Sequence, residues 1–181
     1  IFSFPLVAPS ANPYTKVSPT RAEDVHAYFG NALPLILQGG TCSKGLESTI
    51  IGFEGEESVI YRLGSIPVES IQSLIGPMRI KNQKDSAVLA PGMSPRHYSP
   101  ETHLIVTDDI DSFQKSHPEK RAGIFSRRED VPESLAPRFY ARLMEMDKMG
   151  YDCLLAEWFP EEGLGRTLND RLRRAAEAGN T

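Results

Sequence analysis

A chain of 181 residues with 40% hydrophobic and 24% charged side chains can bury one or two small cores. A formal net charge of −4 excludes a protein that holds nucleic acid by bulk charge; such a role needs a local basic patch. No apolar run approaches a membrane span, and Cys42 and Cys153, far apart and in no metal spacing, predict free thiols in a reducing cytoplasm.

In chain order, Phe4-Pro5-Leu6-Val7-Ala8 predicts a strand that delivers Ala8-Pro9-Ser10-Ala11-Asn12. Thr20-Arg21-Ala22-Glu23 reads as a capping box, opening a helix over Arg21–Phe29 that Gly30-Asn31 stops. Ser10, Asn12, Ser18 and Thr20 thus fall between strand and helix, either as an anion site or as plain turns and caps. Leu35-Ile36-Leu37 predicts a buried strand. Ser48–Phe53 and Val59–Tyr61 predict paired strands around an exposed loop at Glu54–Glu57. Ile66–Ile75 predicts a helix with Pro67 in its first turn and Ile71, Leu74 and Ile75 as its apolar face. A first boundary is placed at residue 76.

Residues 77–101 read as an extended linker punctuated by Pro91, Pro95 and Pro100. Met93, Arg96, His97 and Tyr98 within it suggest a lid over a nucleotide, against packing between two domains. Beyond it come strands at His103–Thr107, Ala122–Phe125 and Tyr151–Ala156, alternating with helices at Asp109–Ser116, Leu135–Met149 and Leu168–Ala178. Such alternation predicts a small parallel α/β domain. Gly163-Leu164-Gly165-Arg166 lacks a full phosphate-loop pattern and reads as the turn that starts the last helix. Arg171, Arg173 and Arg174 on that helix predict a solvated face. His26, His97, His103 and His117 form no metal-ligand pattern.

Four ordered motifs carry a resemblance. They are Ala8-Pro9-Ser10-Ala11-Asn12 with Ser18-Pro19-Thr20, Gly39-Gly40 with Gly45-Leu46-Glu47-Ser48-Thr49-Ile50, Tyr61-Arg62-Leu63-Gly64, and the stretch from Ala90 to Pro100 containing Pro91-Gly92-Met93 and His97-Tyr98. Together they resemble the YrdC/YwlC family in its two-domain threonylcarbamoyl-AMP synthase form. Leu154-Leu155-Ala156-Glu157 and Asn169-Asp170-Arg171-Leu172 are similar to its C-terminal module, with fewer residues between Phe125 and Leu135. The resemblance implies an α/β chain: the C-terminal part of a YrdC-like twisted α/β domain over 1–76, a linker over 77–101, and a Rossmann-like α/β domain over 102–181. The family's KxR motif would precede Ile1, so the expectation is the C-terminal part of a longer enzyme.

The same resemblance implies a nucleotidyltransferase. It would condense L-threonine, bicarbonate or CO2 and ATP, the last with Mg2+, into threonylcarbamoyl-AMP and pyrophosphate. The product would pass in the cytoplasm to a transferase that modifies tRNA, with tRNA itself as a further partner. Carried over by position, Ser10, Asn12, Ser18 and Arg62 are expected on ATP, joined by His97 and Tyr98 from the linker. Ser48, Thr49 and the backbone at Ala8 are expected on threonine. No catalytic protein nucleophile is implied. The competing reading is a non-catalytic RNA-binding module of translation; a carbamoyltransferase-type YrdC domain lacks the linker and the domain after it.

Overall fold

Among the residues that the computed structural model describes, 3–81 and 98–177, six strands form two three-stranded sheets. In the first sheet, β1 (Ile50–Glu54) and β2 (Glu57–Arg62) are the expected antiparallel hairpin. β3 (Arg79–Ile80) then joins β2 in parallel, with Val59 opposite Arg79 and Ile60 opposite Ile80. Arg79 and Ile80, expected in a polar linker, therefore extend the sheet. The Arg79 guanidinium lies on Glu57 at 3.0 Å, and the Lys81 amide donates to Ile60 O at 2.9 Å.

Helix α1 (Ala22–Phe29) forms as expected, but its capping carboxylate is Asp24 rather than Glu23. The Asp24 Oδ2 accepts from the amides of Thr20 and Arg21, each at 3.2 Å, while Glu23 takes the Gln38 amide at 2.8 Å. The helix starts one residue later than the capping box placed it, and this moves the third helical position onto Asp24. Helix α2 (Val68–Ile75) buries Val68 in its first turn, and Arg166 reaches its Glu69 at 2.9 Å. Its expected apolar face is not covered: Leu74 is 84% exposed.

The strands expected at residues 4–8 and 35–37 do not form. An extended segment becomes a strand only when a neighbour takes its backbone donors and acceptors. These two pair with no strand among the described residues, and Val7 stands 95% exposed.

The second sheet matches the expected parallel α/β unit. Its strands β4 (Leu104–Thr107), β5 (Ala122–Phe125) and β6 (Cys153–Glu157) run in the order β4-β6-β5, all parallel. Helix α3 (Ile110–Ser116) follows β4, with Asp109 accepting from the Ser112 amide at 3.0 Å. The long helix expected over 135–149 is instead α4 (Pro132–Leu135), a 3-10 turn, and α5 (Phe139–Asp147). Pro137 lies in the break, where its missing N–H and its ring disfavour a continuous α-helix. Helix α6 (Gly163–Glu177) starts five residues before Leu168, so the Gly-Leu-Gly-Arg turn is its own first turn.

Successive residues of β6 point to opposite faces. Cys153 and Leu155 pack with Ile110 on the α3 side, whereas Leu154 and Ala156 join Leu143, Leu168 and Leu172 on the other. That larger core does not stop at the second sheet. It takes in Val17, Leu46 and Tyr98, so the earlier part of the chain is packed onto the later one.

Candidate functional site

Where the two parts meet, Gly64 lies flat on the segment 47–49. A Cβ at Gly64 would stand 2.2 Å from the Thr49 nitrogen and 2.3 Å from the Ser48 carbonyl carbon, so only glycine allows this approach. Gly45, at φ 67°, meets the other part in the same way: a Cβ there would lie 2.1 Å from Pro137 O. Sequence neighbours of these glycines are thereby brought within reach of one another.

Hydrogen bonds then lock the two motif segments together. Ser65 N donates to Glu47 O at 2.8 Å, and the Thr49 hydroxyl donates to Ile66 O at 2.7 Å. Arg62 donates from Nε and Nη2 to Ser48 O at 3.2 and 2.9 Å, and from Nη2 to Ser48 Oγ at 3.2 Å. Ser48 and Arg62, expected on different substrates, are thus direct neighbours. With its oxygen accepting from Arg62, the Ser48 hydroxyl keeps its proton for another acceptor. The Thr49 hydroxyl is already committed, because it also accepts from Ile66 N at 3.3 Å.

Beneath them sits a buried ionic group. Arg171 of α6 is fully buried and donates to Glu47 Oε2 from Nε at 3.3 Å and from Nη2 at 3.2 Å. It also donates to Leu63 O at 2.7 Å and to the Tyr140 hydroxyl at 3.0 Å, and it pairs with Asp170. Arg174 pairs with the same Asp170 at 3.0 Å. Two cations and two carboxylates therefore neutralise one another, as burial requires. Burial alone would raise the Glu47 carboxyl, but Arg171, the Ser18 hydroxyl at 2.8 Å and Tyr140 outweigh it and hold the group below its ordinary value. Asp170 is likewise held down by Arg171 and Arg174 against its burial.

The expected solvated face on α6 holds at Arg173, which is exposed, and is corrected at Arg171 and Arg174. Arg171 and Arg174 are buried and paired, and Arg173 lies over the Trp158 ring at 5.3 Å. At Arg171, Glu47 and the Tyr98 ring, supplied by distant segments, replace the water that an isolated helix would use.

The loop before α1 reaches this group through Ser18, which is buried on Glu47. Asn12 braces the turn by donating to Pro13 O and Lys16 O, each at 3.1 Å, and its Oδ1 is buried without a partner among the described residues. Tyr98 stacks on Tyr140, with centroids 5.4 Å apart, beneath the Arg171 guanidinium at 4.8 Å. Next to it, Ser99 N donates to Thr15 O at 3.1 Å, tying the end of the linker to the Asn12 turn. Tyr98 thus takes the packing role between the two parts. His97 and the rest of the expected lid lie outside the described residues.

Ser18, Ser48, Thr49, Arg62 and Tyr98 are therefore gathered around Glu47, while Ala8 and Ser10 lie on the exposed segment before Asn12. The sequence motifs assign no site role to Glu47, Tyr140, Thr167, Asp170 or Arg171. A usable signal was present: Thr167, Arg171 and Arg174 recur at helical spacing beside the apolar Leu168 and Leu172. Among the described residues no group of three His, Cys, Asp or Glu could hold a metal ion, and no helix is long and apolar enough to cross a membrane. Cys42 is exposed and Cys153 buried, both as free thiols.

Comparison with known proteins gives two matches to family profiles. One described as the C-terminal domain of threonylcarbamoyl-AMP synthase matches residues 66–177, and one described as telomere recombination matches residues 1–64. The threonylcarbamoyl-AMP synthase of Pyrococcus abyssi is 33% identical over 198 residues, covering 95% of this chain and 58% of that protein. That of Bacillus subtilis is 30% identical over 198 residues, covering 95% and 57%. A crystal structure of P. abyssi Sua5 complexed with L-threonine superposes with a TM-score of 0.81 at 32% identity, covering 94% of this chain and 57% of that one. The chain thus spans somewhat more than half the length of these relatives.

Proposed function

The chain belongs to the threonylcarbamoyl-AMP synthase family, and from that premise we propose that it serves the condensation of L-threonine, bicarbonate or CO2 and ATP into threonylcarbamoyl-AMP and pyrophosphate. The observation that carries the reading is the Ser48–Arg62 contact, which puts a hydroxyl with a free proton beside a guanidinium on one backbone scaffold. The likeness to a Sua5 that was crystallised with L-threonine supports threonine as the amino-acid substrate.

The chemistry asks for positioning rather than a protein nucleophile. The threonine amine adds to bicarbonate, and loss of water leaves a carbamate. A carbamate oxygen attacks the α-phosphorus, forming one P–O bond while the bond to the departing pyrophosphate breaks. Ser48 and the backbone near Ala8 would hold threonine, and Thr49 would stiffen the strand beneath it through Ile66. Arg62 would face the phosphate, where a guanidinium fork suits the developing charge. Ser18, already donating to Glu47, offers its lone pairs and so suits a ribose hydroxyl or a base amine. Asn12 offers its unpaired Oδ1 in the same manner. Ser10 and His97 complete the proposed nucleotide contacts, while Tyr98, expected there too, is spent on packing.

Mg2+ would enter with the nucleotide. The described residues do not fit a protein-held ion, since Glu47, the carboxylate at the site, is occupied by Arg171, Ser18 and Tyr140. The product would go to a tRNA-modifying transferase in the cytoplasm, and the division at residues 76 and 101 belongs to the same proposal. The test is threonine- and bicarbonate-dependent release of pyrophosphate from ATP by the full-length gene product. Ser48→Ala should raise the KM for threonine more than that for ATP. Arg62→Ala should raise both, because Arg62 also holds Ser48. Pyrophosphate release indifferent to threonine would refute the reading.

A further inference from the structure

We propose that α6 is a positioning element for the substrate site, with Thr167 and Arg171 setting the relative placement of Ser48 and Arg62. The inference rests on the site reading above and adds to it a role for the C-terminal part of the chain. Thr167 and Arg171 are four residues apart and share one helix face. The Thr167 hydroxyl donates to Gly64 O at 3.0 Å, and Arg171 Nη2 donates to Leu63 O at 2.7 Å. These are the two carbonyls that directly follow Arg62. The same guanidinium grips the carboxylate of Glu47, the residue directly before Ser48. One rigid helix therefore holds both segments from below, at the positions adjoining the two site residues.

This arrangement matters because the long Arg62 side chain is pinned to Ser48 by its guanidinium, so its placement follows the backbones of the two segments. Leu63 shares a stiff peptide plane with Arg62, so fixing the 63 and 64 carbonyls limits the backbone torsions through which Arg62 could turn. The Arg62–Ser48 bonds leave little room for such a shift, because three donor–acceptor pairs must be kept at once. Gly64 leaves none on its other side, where a Cβ already would collide with the 47–49 backbone. Sub-ångström errors at such a site are costly in rate and affinity.

The test uses the full-length protein with Thr167→Val, which is isosteric and leaves the ion pairs intact. Thr167→Ser restores the hydroxyl, and Ile110→Val serves as a mild core change on the far face of the second sheet. Thr167→Val is expected to raise the KM for threonine about tenfold with kcat within about twofold, Thr167→Ser to return it near the wild-type value, and Ile110→Val to leave it unmoved. Amide exchange at Ser65, whose N–H rests on Glu47 O, is expected to rise in Thr167→Val alone. A folded Thr167→Val protein with unchanged KM overturns the proposal, as does an Ile110→Val protein with the same KM shift. Unchanged Ser65 exchange overturns it whether or not the protein makes the product. Lack of threonine-dependent turnover by the wild-type protein would instead sink the site reading, while the exchange measurement still decides the positioning.

Discussion

The two three-stranded sheets of this chain are built from similar residues and are held in different ways. In the second, all five residues of β6 are buried, because α3 covers one face and α5 and α6 cover the other. In the first, Val59 and Ile60 of β2 are buried while Phe53 of β1 is 69% exposed. A parallel sheet wrapped by its own crossover helices supplies its own burial. The hairpin sheet takes its hold from the polar seam instead, where Glu47, Leu63 and Gly64 are gripped by α6. One sheet is fixed by area and the other by a few oriented bonds.

Breaking the seam should have the largest effect. Arg171→Ala leaves the largely buried Glu47 without its cation and Asp170 with Arg174 alone, and is expected to cost about 3–5 kcal/mol in urea unfolding. Adding Glu47→Gln should recover part of that loss. A cost below about 1 kcal/mol would make the seam no stronger than a surface pair. The contrast between the sheets sharpens with truncation: Leu154→Ala should cost about 2–5 kcal/mol, and Phe53→Ala less than about 0.5 kcal/mol. Equal costs would show that the first sheet is buried as deeply as the second.

Acid should probe the seam selectively. Glu47 and Asp170 have folded-state values below their ordinary 4.5 and 3.8, so their contribution is complete above those values and is lost as pH falls through the lowered ones. Unfolding temperature should therefore drop on acidification through this range, with a shallower drop in Glu47→Gln. An identical acid profile in that variant would exclude Glu47 as a source. A modest effect is expected at Tyr28, which burial and the charges of Asp147, Asp24 and Glu101 push up to about 12. Its contribution is complete below the ordinary tyrosine value of 10 and fades as pH rises toward 12. Tyr28→Phe, which removes the 2.9 Å bond to Val17 O, should cost about 1 kcal/mol at neutral pH and weaken the alkaline transition.

The same contrast explains what could be read in advance. Strands and helices of the second part carry strong local signals that their tertiary partners bear out, and most of their bounds fall within a few residues of expectation. Residues 4–8 and 35–37 carry similar apolar signals, yet a window of sequence holds no information about whether a neighbour is present. Motif order singled out Ser48 and Arg62 as candidates, and the structure adds that they touch. The partner of Arg171 was not legible: its spacing beside Leu168 and Leu172 signals an inward face, but a basic run near a helix end does not say that Glu47 receives it. The partner stands 124 positions away in sequence.

The two thiols carry a practical consequence. Cys153 is buried under α3, and burial pushes its thiol up, so little of it is present as reactive thiolate at neutral pH. Cys42 is exposed, and its amide donates to Thr20 O at 2.9 Å, beside the start of α1. A maleimide dye on the wild-type protein would therefore label one position, a short distance along the chain from the loop that carries Asn12 and Ser18. Fluorescence from that label would test whether a nucleotide arrives at this loop, as proposed above.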